Sequence, residues 1–388
     1  MAEELYERLL QIPTAQLVAM ALAGLSQQGK MVANVIERVR GQLDSVVGVA
    51  RPERIYLAGC GDSYFAALSA RYAFEQFSGL ATVAVESLEL AHYTLLPPGS
   101  LVIVISSGGE VSVTLEAGRA ARQAGVDAIG ITSQKTSTMV QEFPCLITAP
   151  DLSSKDAVDE YIHEAEQVAL ILGNFSFSLA ALYLVALHLG QRCGHPQSRK
   201  FKHAVAEIGA VPEAIERATR ASSEIQEYLE GVSDQADFYF IGAGPSHGVA
   251  LFYQAKFFEQ VQRPVYGIEL EEFAHEQFLL LRPDRDAQVW FIAPHGPGRE
   301  RVLEIMAGCR EADAHVVAVT NSDDAGVQGQ AHLTFAVEAA SEMFSPLVSV
   351  VPGELLGIHA LGRWGNVAST NVRRRQMAQL TRGGRKNT

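Results

Sequence analysis

Through residues 1–50, apolar positions recur at three- and four-residue spacing, which predicts helices. Beyond them the chain changes grammar. Short apolar runs at Ile55–Ala58, Thr82–Val85, Leu101–Ile105, Ala128–Thr132 and Leu146–Thr148 alternate with helix-like segments. Such alternation predicts parallel strands covered on both faces. A long helical stretch follows, roughly Ser154–Gly190, and "GQRCGHPQSRK" supplies turn residues at a boundary. Then the pattern restarts. Phe238–Gly242 reads as a strand, and "GAGPSHGVALFYQAKFFEQ" turns from glycine and serine into a helix. "VWFIAPHGPGRERVLEIMAGCREADAHVVAVTN" echoes "VIVISSGGEVSVTLEAGRAARQAGVDAIGITS" element by element. A period of roughly 185 residues is a duplicated domain, far too long for a solenoid repeat. The reading is α/β: two tandem doubly wound parallel-sheet domains with flanking helices. The first covers residues 1–195 with its leading helices, the second 196–388 with the C-terminal tail.

Bulk numbers narrow the function. A chain of 388 residues with 48% apolar content supports about two cores. A net charge of −13 disfavours nucleic acid or an anionic membrane as partner. The tail is a local exception, with Arg373, Arg374, Arg375, Arg382, Arg385 and Lys386 and no acids. Cys60, Cys145, Cys193 and Cys309 show no zinc or disulfide spacing, so no metal is expected. The N-terminus is acidic and amphipathic, unlike a signal peptide, and the apolar stretch near residues 17–25 is too short to span a bilayer. A soluble, cytoplasmic protein is expected.

Two loops stand out. "GCGDSY" places Gly61, Asp62 and Ser63 after the first apolar run, and "SSGGEV" places Ser106, Ser107, Gly108 and Gly109 after the third. In an open parallel sheet, ligands bind beyond the carboxyl ends of the strands, where strand order reverses. Helix N-termini there suit an anion, glycine allows close backbone approach, and serine adds donors. Neither nucleotide fingerprint fits. Tyr64 stands where GxGxxG needs its third glycine, and no GxxxxGK[ST] occurs.

These loops resemble those of the sugar isomerase (SIS) family, and nearly the whole chain from about residue 20 is similar to tandem SIS domains. It most resembles the isomerase half of glucosamine-6-phosphate synthase and the fructosamine-6-phosphate deglycases, with no room for a glutaminase domain, so ammonia transfer is not expected. The family's first loop reads approximately C-G-T-S; here it is Cys60-Gly61-Asp62-Ser63. Its second reads approximately S-Q-S-G-E-T; here it is Ser106-Ser107-Gly108-Gly109-Glu110-Val111. The resemblance implies that Ser63, Ser106 and Ser107, with Gly61, Asp62 and Gly108, hold the charged end of a sugar. Hydroxyls are lost at Gly108 and Val111, and Asp62 replaces a threonine. Either Asp62 opposes a dianion, favouring a 6-sulfonate or a neutral end, or it points away and caps the next helix.

The resemblance also implies the reactive groups. "ALFYQAKFFEQV" matches the family helix that presents a lysine and the catalytic glutamate, here Lys256 and Glu259. "ELEEFAHEQF" matches the E-x-x-H-G-P loop, giving Glu272 and His275, with Glu276-Gln277 in place of Gly-Pro. The first pair also reads as a surface helix pair and the second as a solvated acidic turn or a half-set of metal ligands. The family's tail lysine, which forms a Schiff base, falls near Arg375 or Gln376; arginine stays protonated and cannot form an imine. The implied reaction is aldose–ketose isomerisation without cofactor, at a homodimer interface to which the partner contributes the histidine. Removal of an amine from a sugar and non-catalytic sugar binding are the alternatives.

Overall fold

Apolar runs of about six residues are too short for buried helices, and turn residues bound them, so they settle as strands. The computed structural model describes residues 12–48, 51–149, 173–193, 198–338, 341–365, 376–377 and 379–381. Among these, ten strands form two five-stranded parallel sheets, each in a compact unit of its own.

Three helices lead the chain: α1 (Thr14–Leu25), α2 (Gln28–Arg40) and α3 (Leu43–Val46). The first sheet then alternates β1 (Arg54–Gly59), α4 (Asp62–Ser78), β2 (Ala81–Glu86), α5 (Ser87–His92), β3 (Ser100–Ile105), α6 (Ser112–Gln123), β4 (Asp127–Thr132), α7 (Thr138–Glu142) and β5 (Cys145–Ile147). The sheet order is β2-β1-β3-β4-β5. The crossovers therefore reverse direction between β1 and β3. One face packs Tyr56, Ala58, Val102, Val104 and Leu115 into a core. Against the other, helix α8 (Asn174–Arg192) packs on α4. It is apolar nearly all round because it is buried nearly all round.

Helices α9 (Ser198–Ala218) and α10 (Ser222–Gly231) lead into the second sheet. It alternates β6 (Asp237–Gly242), α11 (Ser246–Val261), β7 (Tyr266–Glu269), α12 (Leu270–His275), β8 (Ala287–Ile292), α13 (Arg299–Glu311), β9 (His315–Asn321), α14 (Ala325–Gln330) and β10 (Leu333–Val337), then ends on α15 (Pro346–Trp364). The order β7-β6-β8-β9-β10 repeats the first topology, with the reversal between β6 and β8. Trp290 anchors this core, stacked on Phe335 at 5.2 Å and edge-on to Tyr253 at 6.2 Å. Gly353 lets α15 lie against the Tyr253 ring, which a side chain there would strike.

Both doubly wound sheets are as expected, and the predicted strands appear within two residues of their expected ends. The two compact units, however, interleave along the chain and do not meet at one cut between residues 195 and 196. Helix α1 groups with the second sheet, where Met20 and Leu25 are buried and Val18 lies 3.5 Å from where a Cβ on Gly362 would stand. Gln28 donates a buried hydrogen bond of 3.1 Å to Glu354 on α15. Helix α8 groups with the first sheet. The expected helix over residues 154–172 and the basic tail residues, including Arg375, lie outside the described residues.

Candidate functional site

Loop 60–63 leaves the end of β1, and loop 106–111 leaves the end of β3, so the two flank the reversal of the first sheet. Gly61 (φ +54) turns the chain into α4, and Ser63 is buried on its first turn. A Cβ on Gly59 would sit 2.8 Å from that of Ser63, so the helix start is pressed against the strand end. Asp62 is the first residue of α4, and Gly61 holds the cap position without a side-chain bond. A carboxylate in the first turn suits the positive end of the helix dipole.

The second loop is pinned from beneath. The Ser106 hydroxyl accepts from the Gly109 N–H at 3.1 Å and keeps its own proton to donate. The Ser107 carbonyl accepts from Ser133 N–H at 3.0 Å and from the Thr132 hydroxyl at 3.1 Å. Ser107 stays half-buried and Gly108 exposed at the rim. Glu110 turns away and caps α7, accepting from the Thr138 N–H and hydroxyl, both at 2.7 Å.

The helix starts along this edge fall into two kinds. Glu86 caps α5 by accepting from Leu88 N–H at 2.7 Å, and Glu110 caps α7. Helices α4 and α6, on either side of the reversal, have no side-chain cap. Turn carbonyls hold part of their first N–H groups, Ser63 N–H donating to Cys60 at 3.2 Å and Thr114 N–H to Val111 at 3.1 Å, and the positive end of each helix dipole lies at this edge. Beneath them, Glu86 also accepts from the Cys60 thiol at 2.9 Å. Burial and this carboxylate push the thiol pKa up, so Cys60 stays a protonated donor.

In the second unit, Lys256 and Glu259 form an ion pair of 2.8 Å on α11. The spacing of three predicted this contact, but it is not a surface pair. Lys256 is only 7% exposed and lies over the Phe252 ring at 4.5 Å. Glu272 and His275 share α12, with His275 exposed and 3.7 Å from Glu271. Glu269, at the end of β7, caps this short helix by accepting from Glu271 and Glu272 N–H groups at 2.8 and 3.3 Å. The signal was available in the sequence, since Glu86 and Glu269 hold the same place in the two repeats.

Within one chain, Glu259 and His275 are not brought together. Helix α11 starts at the carboxyl edge of β6 and runs back, so Glu259 lies roughly 20 Å along it, near the opposite edge. His275 follows β7 at the carboxyl edge. Among the described residues, no three His, Cys, Asp or Glu side chains converge as a metal site, and no helix is long and apolar enough to cross a membrane.

Replacing Glu269 with alanine is expected to cost about 1 kcal/mol through loss of the cap. Urea midpoints measure that loss. If α12 presents a working histidine, kcat falls further than the same loss of stability elsewhere would cause, and Glu269→Asp restores it.

A second expectation concerns acid. Asp324 caps α14 and is gripped by Arg299 at 2.6 and 2.8 Å, which holds its carboxyl below its ordinary value of 3.8. A depressed carboxylate stabilises the fold above its ordinary pKa, and that contribution disappears as pH falls through the depressed value. Arg299→Met is therefore expected to lower the urea midpoint at pH 7 and to lose its effect towards pH 2.

The profile of the family described as "SIS domain" matches residues 49–157 and 232–362, one match on each sheet. A glutamine–fructose-6-phosphate aminotransferase [isomerizing] of Tropheryma whipplei is 25% identical over 351 residues, covering 88% of this chain and 53% of that protein. The chain thus spans about half the length of the curated relatives it matches. The C-terminal domain of a glucosamine-fructose-6-phosphate aminotransferase from Francisella tularensis superposes with a TM-score of 0.77 at 18% identity, covering 90% of this chain and 96% of that one. Tagatose-6-phosphate ketose/aldose isomerase from Escherichia coli superposes at 0.69 with 15% identity, covering 90% and 94%.

Proposed function

Because the chain belongs to the SIS-domain family and carries that domain twice, we propose that it is an aldose–ketose isomerase of a hexose with an anionic terminus, phosphate or sulfonate. The observation that carries the reading is the pair of uncapped helices, α4 and α6, flanking the reversal of the first sheet beside Ser63, Ser106 and Ser107. An anion is drawn to the positive end of a helix and accepts from serine hydroxyls. The relatives' names, which include "isomerizing" and a ketose/aldose isomerase acting on a 6-phosphate, support the same substrate class.

In this reading Glu259 takes the proton from C2 of the open-chain aldose and returns it to C1 through an enediol, while a hydroxyl proton passes from O2 to O1. His275 opens the ring by moving the anomeric hydroxyl proton to the ring oxygen. Lys256 and Glu272 position these two, and Gly61, Asp62 and Gly108 shape the anion loops. Arg375 neutralises charge on the substrate. No cofactor is needed, since the electron pair stays within the sugar.

Since Glu259 and His275 lie at opposite edges of one sheet, we propose that a homodimer completes the site with the histidine of a second copy. NMR in D₂O tests the reaction, with hexose 6-phosphates, 6-sulfonates and unmodified hexoses as substrates. Deuterium entering C1 and C2 is expected with one anionic class; ammonia or amino acid release without such exchange favours amine removal. Mixing Glu259→Gln with His275→Ala tests the dimer. Hybrid dimers would hold one intact site, restoring about a quarter of wild-type activity at equal mixing. No recovery would place both residues in one chain's site.

A further inference from the structure

The second sheet repeats the distribution of caps seen in the first, although no family motif marks it. Helices α12 and α14 are capped by Glu269 and Asp324. Helices α11 and α13, on either side of the reversal between β6 and β8, have no side-chain cap. Two further features lie there. Ser246, the counterpart of Ser63, is 1% exposed at the first residue of α11, and its hydroxyl has no hydrogen-bond partner. An unsatisfied hydroxyl in that position costs stability unless something else fills it. Glu342 reaches in from the segment between β10 and α15 and lies against both loops. Its carboxylate would collide with a Cβ on Gly296 and stand 3.8 Å from one on Gly244. Among the described residues its carboxylate has no hydrogen bond or ion pair, its backbone carbonyl accepting from the Ser345 hydroxyl at 2.8 Å, and burial pushes its pKa up.

We infer that the reversal point of the second sheet is a second ligand site, for a neutral, hydroxyl-rich molecule such as an unphosphorylated sugar or polyol. The Ser246 hydroxyl offers a donor to ligand oxygens and the positive ends of α11 and α13 attract them, while the Ser246, His247 and Arg299 N–H groups are held by turn carbonyls. Glu342 offers an acceptor to ligand hydroxyls. A phosphate is excluded by charge, because Glu342 lines the loops and His295 beside them is already held by Asp323 at 2.9 Å and Asp324 at 3.3 Å. The site stands apart from the anion loops of the isomerase reading, which belong to the unit of the first sheet, although it shares its own unit with Glu259 and His275.

The test uses the full chain, D-glucose as probe, and saturating glucose 6-phosphate to occupy any anion site. Saturation-transfer NMR is expected to show saturable glucose binding. Ser246→Ala and Glu342→Gln are each expected to weaken it by about tenfold, the worth of one hydrogen bond to a buried or charged group. Ser106→Ala leaves it unchanged. In the unaltered protein, the Glu342 carboxyl ¹³C signal shifts on adding glucose, which needs no variant to fold. Absence of saturable binding, binding indifferent to both variants, or displacement of glucose by inorganic phosphate would overturn the inference. Failure of the isomerase assay would leave these outcomes untouched.

Discussion

Glu259→Gln is expected to lower kcat for isomerisation by about 100- to 10,000-fold, with little change in KM. Glutamine keeps the size of the side chain and an oxygen to accept from Lys256, which sits 2.8 Å away in the unaltered protein. What it loses is the basic lone pair that carries a proton between neighbouring carbons. Binding through the anion loops does not depend on that lone pair, so the loss falls on turnover. The measurement is deuterium incorporation at C1 and C2 alongside steady-state kinetics. A variant that still exchanges at the wild-type rate would assign the proton transfer to another group.

The second large effect lies in the loop after β3. Gly109 has φ +66, and a Cβ there would run into the side chain of Ser137. Alanine at this position pays twice, for the left-handed backbone and for displacing a buried neighbour, together about 2–4 kcal/mol. The strain falls on the turn that seats the Ser106 hydroxyl, because the Gly109 N–H is its donor. Substrate affinity is therefore expected to fall along with the urea midpoint. Gly108→Ala is the control for stability: Gly108 has an ordinary φ and open space around it, so the urea midpoint should stay near wild type. Equal behaviour of the two variants would show that the loop's shape does not matter.

The sheets were legible because buried strands announce themselves as apolar runs such as Leu101–Ile105, whose six-residue strand is buried throughout. The short edge strand β7 was not, since Tyr266–Glu269 mixes exposed, half-buried and buried positions. Spacing correctly paired Lys256 with Glu259, because helix geometry fixes which neighbours meet. It could not show that the lysine is buried, which depends on what packs over α11. Nor could it show that Glu259 and His275 lie at opposite edges; that follows from the direction of α11 relative to β6 and β7. The caps were readable in principle, as two glutamates at matching strand ends, but their meaning lies in the helices that lack one. Likewise nothing local in α1 tells that its apolar face belongs to a helix at the far end of the chain.

That last pairing sets an order of events during synthesis. The residues of α1 leave the ribosome first, yet α15 emerges more than 300 residues later, roughly 20–60 s at ordinary rates of elongation. Throughout that wait α1 lacks the helix it packs on. Nascent chains stalled before residue 346 should therefore hold on to chaperones through this segment, and release should follow only when α15 is complete.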